Sequence, residues 1–169
     1  VLSHAHIDHS GRVPLLVRRG YTGPIYAQNA TRALCAIMLP DSGYLSEKDA
    51  EWENKRRRKQ GKPLVEPLYT LEDAQNCLGQ FRSYKYEEPF EVAPGIKACF
   101  YDAGHILGSS IVELTFEADG KKLVFSGDLG YRDAPVMDPP KQPKQADIVL
   151  MESTYGDRLH RPFDETMEE

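Results

Sequence analysis

Imidazole and carboxylate side chains are concentrated in one short stretch near the start of the 169-residue sequence. Three histidines and an aspartate fall within six positions: His4, His6, Asp8 and His9. Imidazole nitrogen and carboxylate oxygen are the ligands that borderline divalent metals such as zinc prefer. His4 and His6, two positions apart, can bind one metal from a tight loop, and Asp8 and His9 then face a second metal beside it. The alternative interpretation is a surface loop that is histidine-rich by chance.

Two further polar residues occupy similar places later in the chain. His105 follows the apolar run 96–101, Asp128 follows the apolar run 123–125, and glycines flank both. Glycines at such strand-to-loop transitions let the backbone approach a site closely. Either motif alone would be a weak signal. The histidine cluster, the later histidine and the aspartate in this order favour the metal interpretation.

The order of these motifs resembles that of the metallo-β-lactamase superfamily. Residues 4–9 match its HxHxDH motif, His105 matches its next histidine ligand, and Asp128 matches the aspartate that bridges two metals. The segment IVLMESTYG at 148–156 is similar to the β-CASP branch, whose members process nucleic acids. The stretches GHILGSS and SGDLG are also similar to those of β-CASP ribonucleases, such as the endonuclease subunit of the cleavage and polyadenylation complex.

The resemblance implies a centre of two zinc ions. Six side chains would hold them: His4, His6 and His105 on the first ion, Asp8 and His9 on the second, and Asp128 bridging both. Two cations about 3.5–4 Å apart share a water and lower its pKa, so that hydroxide is available to attack a phosphodiester. Asp8 would also orient this nucleophile. Asp8 and Asp128 are therefore expected catalytic residues.

Glu152 is the third expected catalytic residue. The resemblance implies that Glu152 orients a histidine supplied by an inserted β-CASP domain, and that this histidine protonates the leaving oxygen. The alternative for Glu152 is structural, as an acid that caps a strand end or forms a salt bridge. His160 has no metal-ligand spacing to any other residue, and we expect it at a surface or at a domain interface.

The fold that the resemblance implies is α/β, the αββα sandwich of two mixed sheets flanked by helices, incomplete at both ends. Residues 1–169 are expected to form a partial catalytic domain. The earlier strands, the β-CASP insert and the C-terminal part of family members would lie outside it. Because a last histidine ligand is missing, the second zinc would bind weakly. The missing β-CASP domain would complete the cleft, so we expect nuclease activity from the parent protein and little from these residues alone.

Residue patterns predict the elements that position the ligands. Helices are predicted over 11–19, 31–39, 47–59 and 70–81, the last three with caps at Asn29, Ser46 and Thr70. Strands are predicted over 24–27, 86–92, 96–101, 111–117, 121–126 and 148–152. The strands 111–117 and 121–126 form a hairpin, and the strand 148–152 is predicted to be buried.

Composition excludes several function classes. The chain is 40% hydrophobic and 28% charged, which is typical of a soluble globular protein. No apolar stretch approaches the length that spans a membrane, so we expect a cytoplasmic protein without a membrane partner. A net charge of −5 argues against a generally basic, sequence-independent nucleic-acid binder. Cys35, Cys77 and Cys99 are expected to be reduced thiols packed as small apolar residues.

One segment, 55–62, is strongly basic. It could hold a phosphate backbone by counterion release. The favoured alternative is a solvated helix end, where cations suit the helix dipole. Tyr69, Tyr84 and Tyr86 could stack on bases, but aromatic residues beside strands are more often half-buried in packing.

The ligand set predicts a metal-dependent hydrolase, and the resemblance implies a β-CASP ribonuclease that cleaves single-stranded RNA. A hydrolase of the same fold that acts on thioesters or lactones would share every metal ligand, and a DNA nuclease is a further alternative. A third alternative is a scaffold subunit without activity, but such a subunit would be expected to have lost some of the six ligand residues that are present here. A homodimer is compatible with the sequence, which leaves oligomeric state and endo- or exonuclease action open.

Overall fold

The computed structural model describes residues 1–132, 134 and 136–158, and His160 lies outside them. The described residues combine helices and strands. In chain order the elements are α1 (Ile7–Ser10), α2 (Val13–Arg18), β1 (Ile25–Gln28), α3 (Asn29–Lys59), α4 (Leu71–Cys77), a 3-10 turn (Leu78–Gln80), β2 (Phe81–Tyr84), β3 (Phe90–Ala93), β4 (Ile96–Asp102), β5 (Ser110–Phe116), β6 (Lys122–Phe125) and β7 (Ile148–Leu150).

The strands of the described ranges form two sheets. β1 and β2 make a parallel pair, and a larger sheet has the order β3-β4-β5-β6-β7. Neighbours in the larger sheet are antiparallel except for β6 and β7, which run parallel with Phe125 opposite Leu150. This mixture of helices with parallel and mixed sheets confirms the expected α/β class.

Two main apolar clusters hold these elements together. The first lies between α3, α4, β1 and β2 and includes Leu39, Tyr69 and Phe81. The second covers one face of the larger sheet and includes Phe90 and Phe100. Side chains alternate between the faces of a strand, so only one face of each strand contributes to this core. The loops at the ends of β4 and β6 carry polar residues.

A single 31-residue helix, α3, replaces two of the predicted helices. It continues through Pro40 and Ser46, where the sequence predicts an end and a new cap. Ser46 is not a cap, because its hydroxyl accepts a hydrogen bond from the backbone N–H of Leu68 at 2.9 Å. Burial of Leu39 and a bond from the Tyr69 hydroxyl to that of Ser42 at 2.8 Å stabilise the helix on both sides of the proline. Tertiary packing thus overrides the local stop signals.

Other predicted boundaries also need correction. The helix predicted over 11–19 is confined to α2, and a separate turn, α1, precedes it inside the histidine motif. Asn29 does not cap α3; the side chain of Gln28 does, by accepting a hydrogen bond from Ala30 N–H. The capping box of Thr70 and Asp73 is confirmed, but α4 ends at Cys77, and the unpredicted strand β2 begins at residue 81.

Two predicted strands differ in extent or burial. The strand predicted over 86–92 is present only as β3, because Glu87 has a φ of 59° and breaks the extended backbone. The strand predicted as buried over 148–152 is β7, which is shorter and exposed. It forms the last strand of the larger sheet among the described residues, and Ile148, Val149 and Leu150 are all about half exposed.

The cysteines and tyrosines take the packing roles that the sequence favours. All three cysteines are free and buried. Burial raises the pKa of Cys35 to about 11 and that of Cys77 to about 12. The ring of Tyr84 stacks on Phe90 with centroids 3.8 Å apart, and the Tyr86 hydroxyl donates to the Ser109 carbonyl at 2.8 Å. Helices within the described ranges lack the combination of length and apolarity that crossing a membrane requires.

Replacing Leu39 by alanine tests the packing of α3. Leu39 has no exposed surface, so the substitution should lower the free energy of unfolding by about 2–5 kcal/mol in chemical denaturation. Leu45 on the same helix is 52% exposed and is the matched control. Leu45→Ala should change stability by about 0.5 kcal/mol or less. Equal losses at both positions would contradict the packing described here.

Candidate metal centre

The first histidines lie on a segment that is held between the two sheets. The N–H of Leu2 donates to the carbonyl of Tyr26 in β1 at 2.8 Å, and the N–H of Ser110 in β5 donates to the carbonyl of Ser3 at 2.8 Å. These two bonds tie the backbone directly before His4 to one strand of each sheet. The chain then turns into α1, where the hydroxyl of Ser10 donates to the carbonyl of Ala5 at 2.8 Å.

His105 lies in the loop between β4 and β5. The side chain of Ser109 holds this loop by hydrogen bonds to its backbone. The hydroxyl oxygen of Ser109 accepts the backbone N–H groups of His105 at 3.1 Å and Ile106 at 3.2 Å. Gly108 in this loop has a φ of +81° and packs against the backbone of Thr31, where a Cβ atom would clash. The Thr31 hydroxyl donates to the Gly108 carbonyl at 2.7 Å. The start of α3 thus supports the loop of His105.

Asp128 lies in the loop that follows β6. The N–H of Ser126 donates to the carbonyl of Leu150 at 2.9 Å, which continues the parallel pairing of β6 and β7 beyond the strands. Gly127 has a φ of +56°, a conformation that suits glycine, and reverses the chain in front of Asp128. The N–H of Gly130 then donates to the carbonyl of Ala103 at 2.8 Å. This last bond joins the loop of Asp128 to the loop of His105.

Four side chains from these three loops converge on one point. His4 Nε2 and His105 Nε2 each lie 3.1 Å from His6 Nδ1, and each lies 3.6 Å from Asp128 Oδ2. All four atoms lie within 4.8 Å of one another. A tetrahedral zinc with bonds of 2.0–2.1 Å requires ligand atoms about 3.3 Å apart. The four distances of 3.1 and 3.6 Å bracket this value, so the group could hold a metal ion.

The contacts of His6 Nδ1 and the charge state of His4 suit a metal better than a hydrogen-bond network. A ring nitrogen offers one proton or one lone pair, so His6 Nδ1 cannot bond well to both nearby Nε2 atoms. Burial lowers the pKa of His4 to about 4, and the nearby His9, His6 and His105 act in the same direction while Asp128 raises it. His4 is therefore neutral at pH 7, the form that ligates metals. Ser3 Oγ lies 3.2 Å from His4 Nδ1 and fixes the ring.

A second group of donor atoms adjoins the first. His9 Nε2 lies 3.2 Å from Asp128 Oδ1 and 3.6 Å from Asp8 Oδ2. The two oxygens of Asp128 therefore face different groups, Oδ2 toward His4 and His105 and Oδ1 toward His9. This is the arrangement that a bridging carboxylate needs. The second group has three donors, and Asp8 is 77% exposed, so it is less enclosed than the first.

Glu152 contributes to the centre by holding the loop of Asp128. Its Oε1 accepts the N–H of Leu129 at 2.5 Å, and its Oε2 accepts the hydroxyl of Thr154 at 2.6 Å. Burial raises the pKa of Glu152, but these hydrogen bonds and the nearby His105 and His4 lower it, and the net shift is downward. Glu152 is therefore ionised at neutral pH. Its contacts among the described residues correspond to the structural alternative given above, and the bond to Leu129 was not predicted.

Sequence reasoning also missed Ser3 and Ser109, which orient His4 and the loop of His105. Both serines adjoin the metal motifs, and Ser109 lies within the GHILGSS stretch, so their position next to a ligand loop was the available signal. The sequence left substrate-binding residues unassigned. An open cleft beside the centre supplies candidates, and its lining includes Asp128, Tyr131, Arg132, Met151, Glu152 and Tyr155.

Comparison with known proteins relates the chain to RNA and transcription proteins. The chain is 40% identical over all its 169 residues to ribonuclease TTHA0252 of Thermus thermophilus, of which it covers 34%. It is 32% identical over 157 residues to the transcription termination factor FttA of Methanocaldococcus jannaschii, covering 92% of this chain and 23% of that protein. It is 35% identical over 158 residues to FttA of Methanosarcina mazei, which covers 92% of this chain and 22% of that protein. No protein-family model matches the sequence. The chain thus spans about a third or less of each relative.

Metal titration of single variants tests the two groups separately. His105→Ala removes one of four ligand atoms from the enclosed group, and the loss of zinc affinity should exceed the tenfold to about hundredfold cost of losing an outer partner. Asp8→Ala should leave the tightly bound ion in place and weaken only a second one. Competition with a chromophoric chelator measures both affinities. Full zinc content and unchanged affinity in the His105→Ala protein would contradict the assignment.

Proposed function

We propose that the protein is a metal-dependent ribonuclease of the β-CASP branch of the metallo-β-lactamase superfamily, with the αββα sandwich fold. One observation carries this proposal: four donor atoms lie within 4.8 Å of one another, and the second oxygen of Asp128 is turned toward His9. The similarity to a ribonuclease at 40% identity supports the choice of RNA as the substrate. The ESTYG stretch supports the choice of branch.

The proposed roles combine the positions of the side chains with the family resemblance. His4, His6 and His105 would hold one zinc ion, His9 and Asp8 would hold a second, and Asp128 would be a ligand of both. When bound, the two ions would lower the pKa of a water and offset charge on a phosphodiester. Asp8 is exposed, so one of its oxygens can accept a hydrogen bond from the attacking water and orient it. The open cleft beside Asp128 gives the substrate access.

Glu152 has two proposed roles that the same side chain can serve. Through Leu129 N–H it holds the loop that carries Asp128. As an ionised carboxylate near the centre it also orients a histidine from the rest of the protein, the group that protonates the leaving oxygen. We propose that residues 1–169 are part of one catalytic domain, that the β-CASP insert completes the cleft, and that the second zinc binds weakly without it. A cytoplasmic location remains a prediction.

Cleavage of end-labelled single-stranded RNA by the full-length protein tests the proposed activity. Asp128→Ala removes a ligand shared by both ions, so the cleavage rate should fall by at least about a hundredfold. Asp41→Ala, at an exposed position on α3, is the matched control and should retain full activity. Zinc-loaded protein that leaves RNA and DNA intact but hydrolyses a thioester would instead establish a small-molecule hydrolase.

Two substitutions separate the proposed roles of Glu152. Glu152→Gln keeps an oxygen that can accept the Leu129 N–H but removes the charge, so zinc affinity should be retained while kcat falls by about tenfold to a hundredfold. Glu152→Ala also leaves the Leu129 N–H without its acceptor and should weaken zinc binding as well. If Glu152→Gln has wild-type kcat, Glu152 is only a structural anchor of the loop.

A further inference from the structure

The far end of α3 carries a face of cations and one aromatic ring. Four residues at the positions i, i+3, i+4 and i+7 lie on one side of the helix: Trp52, Lys55, Arg56 and Lys59. We call this surface the basic face. At 1.5 Å per residue it begins roughly 30 Å along α3 from Thr31, the residue that contacts the loop of His105. It is therefore separate from the metal centre and its cleft.

Charge on this part of the chain is opposite to that of the rest. Residues 52–62 contain six lysines and arginines and a single carboxylate, Glu53, whereas the whole chain has a net charge of −5. Glu53 pairs with Arg56 at 2.9 Å and with Arg57 at 2.9 Å. Lys55 and Lys59 are exposed, and neither forms an ion pair with any residue that the structure describes. The surface thus keeps a local excess of positive charge.

The helix dipole accounts for only part of this surface. Its effect is confined to the last turn of a helix, which holds Arg56 and Lys59, whereas Lys55 precedes this turn and Lys62 follows the helix. Cations at i and i+4, such as Lys55 and Lys59, also repel one another. Moreover, the dipole gives no reason for Trp52 to be 66% exposed beside these cations. A polyanionic ligand with aromatic groups would account for both features.

Aromatic rings and cations alternate along this side of α3. The Arg56 guanidinium lies 6.0 Å from the centroid of the Trp52 ring. Lys48 Nζ lies 5.5 Å from the centroid of the Tyr44 ring but also pairs with Glu51 at 3.0 Å, so it adds no net charge to this side of the helix. Tyr44, Lys48 and Trp52 follow one another at intervals of four residues, so they continue the line of the basic face. Aromatic rings for bases and cations for phosphates are the two components of sequence-tolerant binding to single-stranded nucleic acid.

We propose that the basic face binds a distal segment of the single-stranded RNA substrate, with a base stacked on Trp52 and phosphates at Lys55 and Lys59. The substrate class rests on the proposed function, whereas the surface itself rests on charge and exposure. RNA bound in this way occupies both the metal centre and the end of α3. The face therefore increases affinity for long RNA without taking part in the chemistry.

Binding measured without cleavage tests this proposal. The full-length protein carrying Asp128→Ala is titrated against fluorescein-labelled single-stranded RNA, and anisotropy gives Kd over a range of salt concentrations. Lys55→Ala with Lys59→Ala should weaken binding about tenfold and reduce the slope of log K against log salt by about 1.4, the value for two phosphate contacts. Lys85→Ala with Lys144→Ala, an exposed pair elsewhere that removes the same charge, should change neither value.

Fluorescence of Trp52 provides a second readout. Trp52 is the one tryptophan of this sequence, and a parallel titration of Trp52→Phe subtracts the signal of any other tryptophan in the full-length protein. Stacking of a base should quench the difference signal as RNA is added. Unchanged Kd in the double lysine variant, or no quenching of Trp52, would overturn the proposal. A further result would also overturn it: the protein self-associates without RNA, and the double lysine variant abolishes this association but leaves Kd for RNA unchanged. The basic face would then be an interface between two copies.

The proposed function can fail separately. If the wild-type protein and the double lysine variant cleave RNA equally well and bind it with equal affinity, only the proposed role of the basic face is rejected. Binding to the basic face without cleavage by the wild-type protein rejects only the ribonuclease activity.

Discussion

The convergence of polar side chains around Asp128 is the constraint on which the arrangement of the loops depends. Three histidine rings and a carboxylate converge there, with four of the distances between their donor atoms at 3.1–3.6 Å. Buried His4 has another ring nitrogen as the 3.1 Å neighbour of its Nε2 atom, and a bound metal would give this atom a stronger partner. Folding and metal binding would then be coupled.

Backbone contacts between loops provide this positioning. The pairing of β6 with β7 brings Glu152 beside Leu129, and Glu152 then fixes the residue that follows Asp128. On the other side, Thr31 at the start of α3 holds the loop of His105. The larger sheet and the long helix thus each control one ligand loop. Substitutions well away from the ligands can therefore change metal affinity through these contacts.

The sequence predicted the side chains that converge here because their signal is local and chemical. Histidine and aspartate at short spacing, with glycines beside His105 and Asp128, indicate a metal site without any knowledge of the fold. The capping box at Thr70 and the strands of β4, β5 and β6 were predicted for the same reason, since each depends on neighbouring residues. Assignments of ligands to particular ions came from the family resemblance and remain proposals.

Features that depend on distant residues could not be predicted in this way. The continuity of α3 through Pro40 requires the packing of Leu39 and the contact with Tyr69. The contact of Glu152 with Leu129 spans 23 positions and requires the register of β6 and β7. The exposure of β7 contradicts its apolar sequence, because hydrophobicity gives the tendency of a strand to be covered but not what covers it.

X-ray absorption at the zinc edge of the purified full-length protein tests whether these side chains form a zinc centre. Stoichiometric zinc is expected, with nitrogen and oxygen ligands at about 2.0–2.1 Å, several of them imidazoles, and no sulfur ligand. A zinc–sulfur distance of about 2.3 Å, or purified protein that neither contains nor takes up zinc, would contradict a centre built from His4, His6, His105 and Asp128.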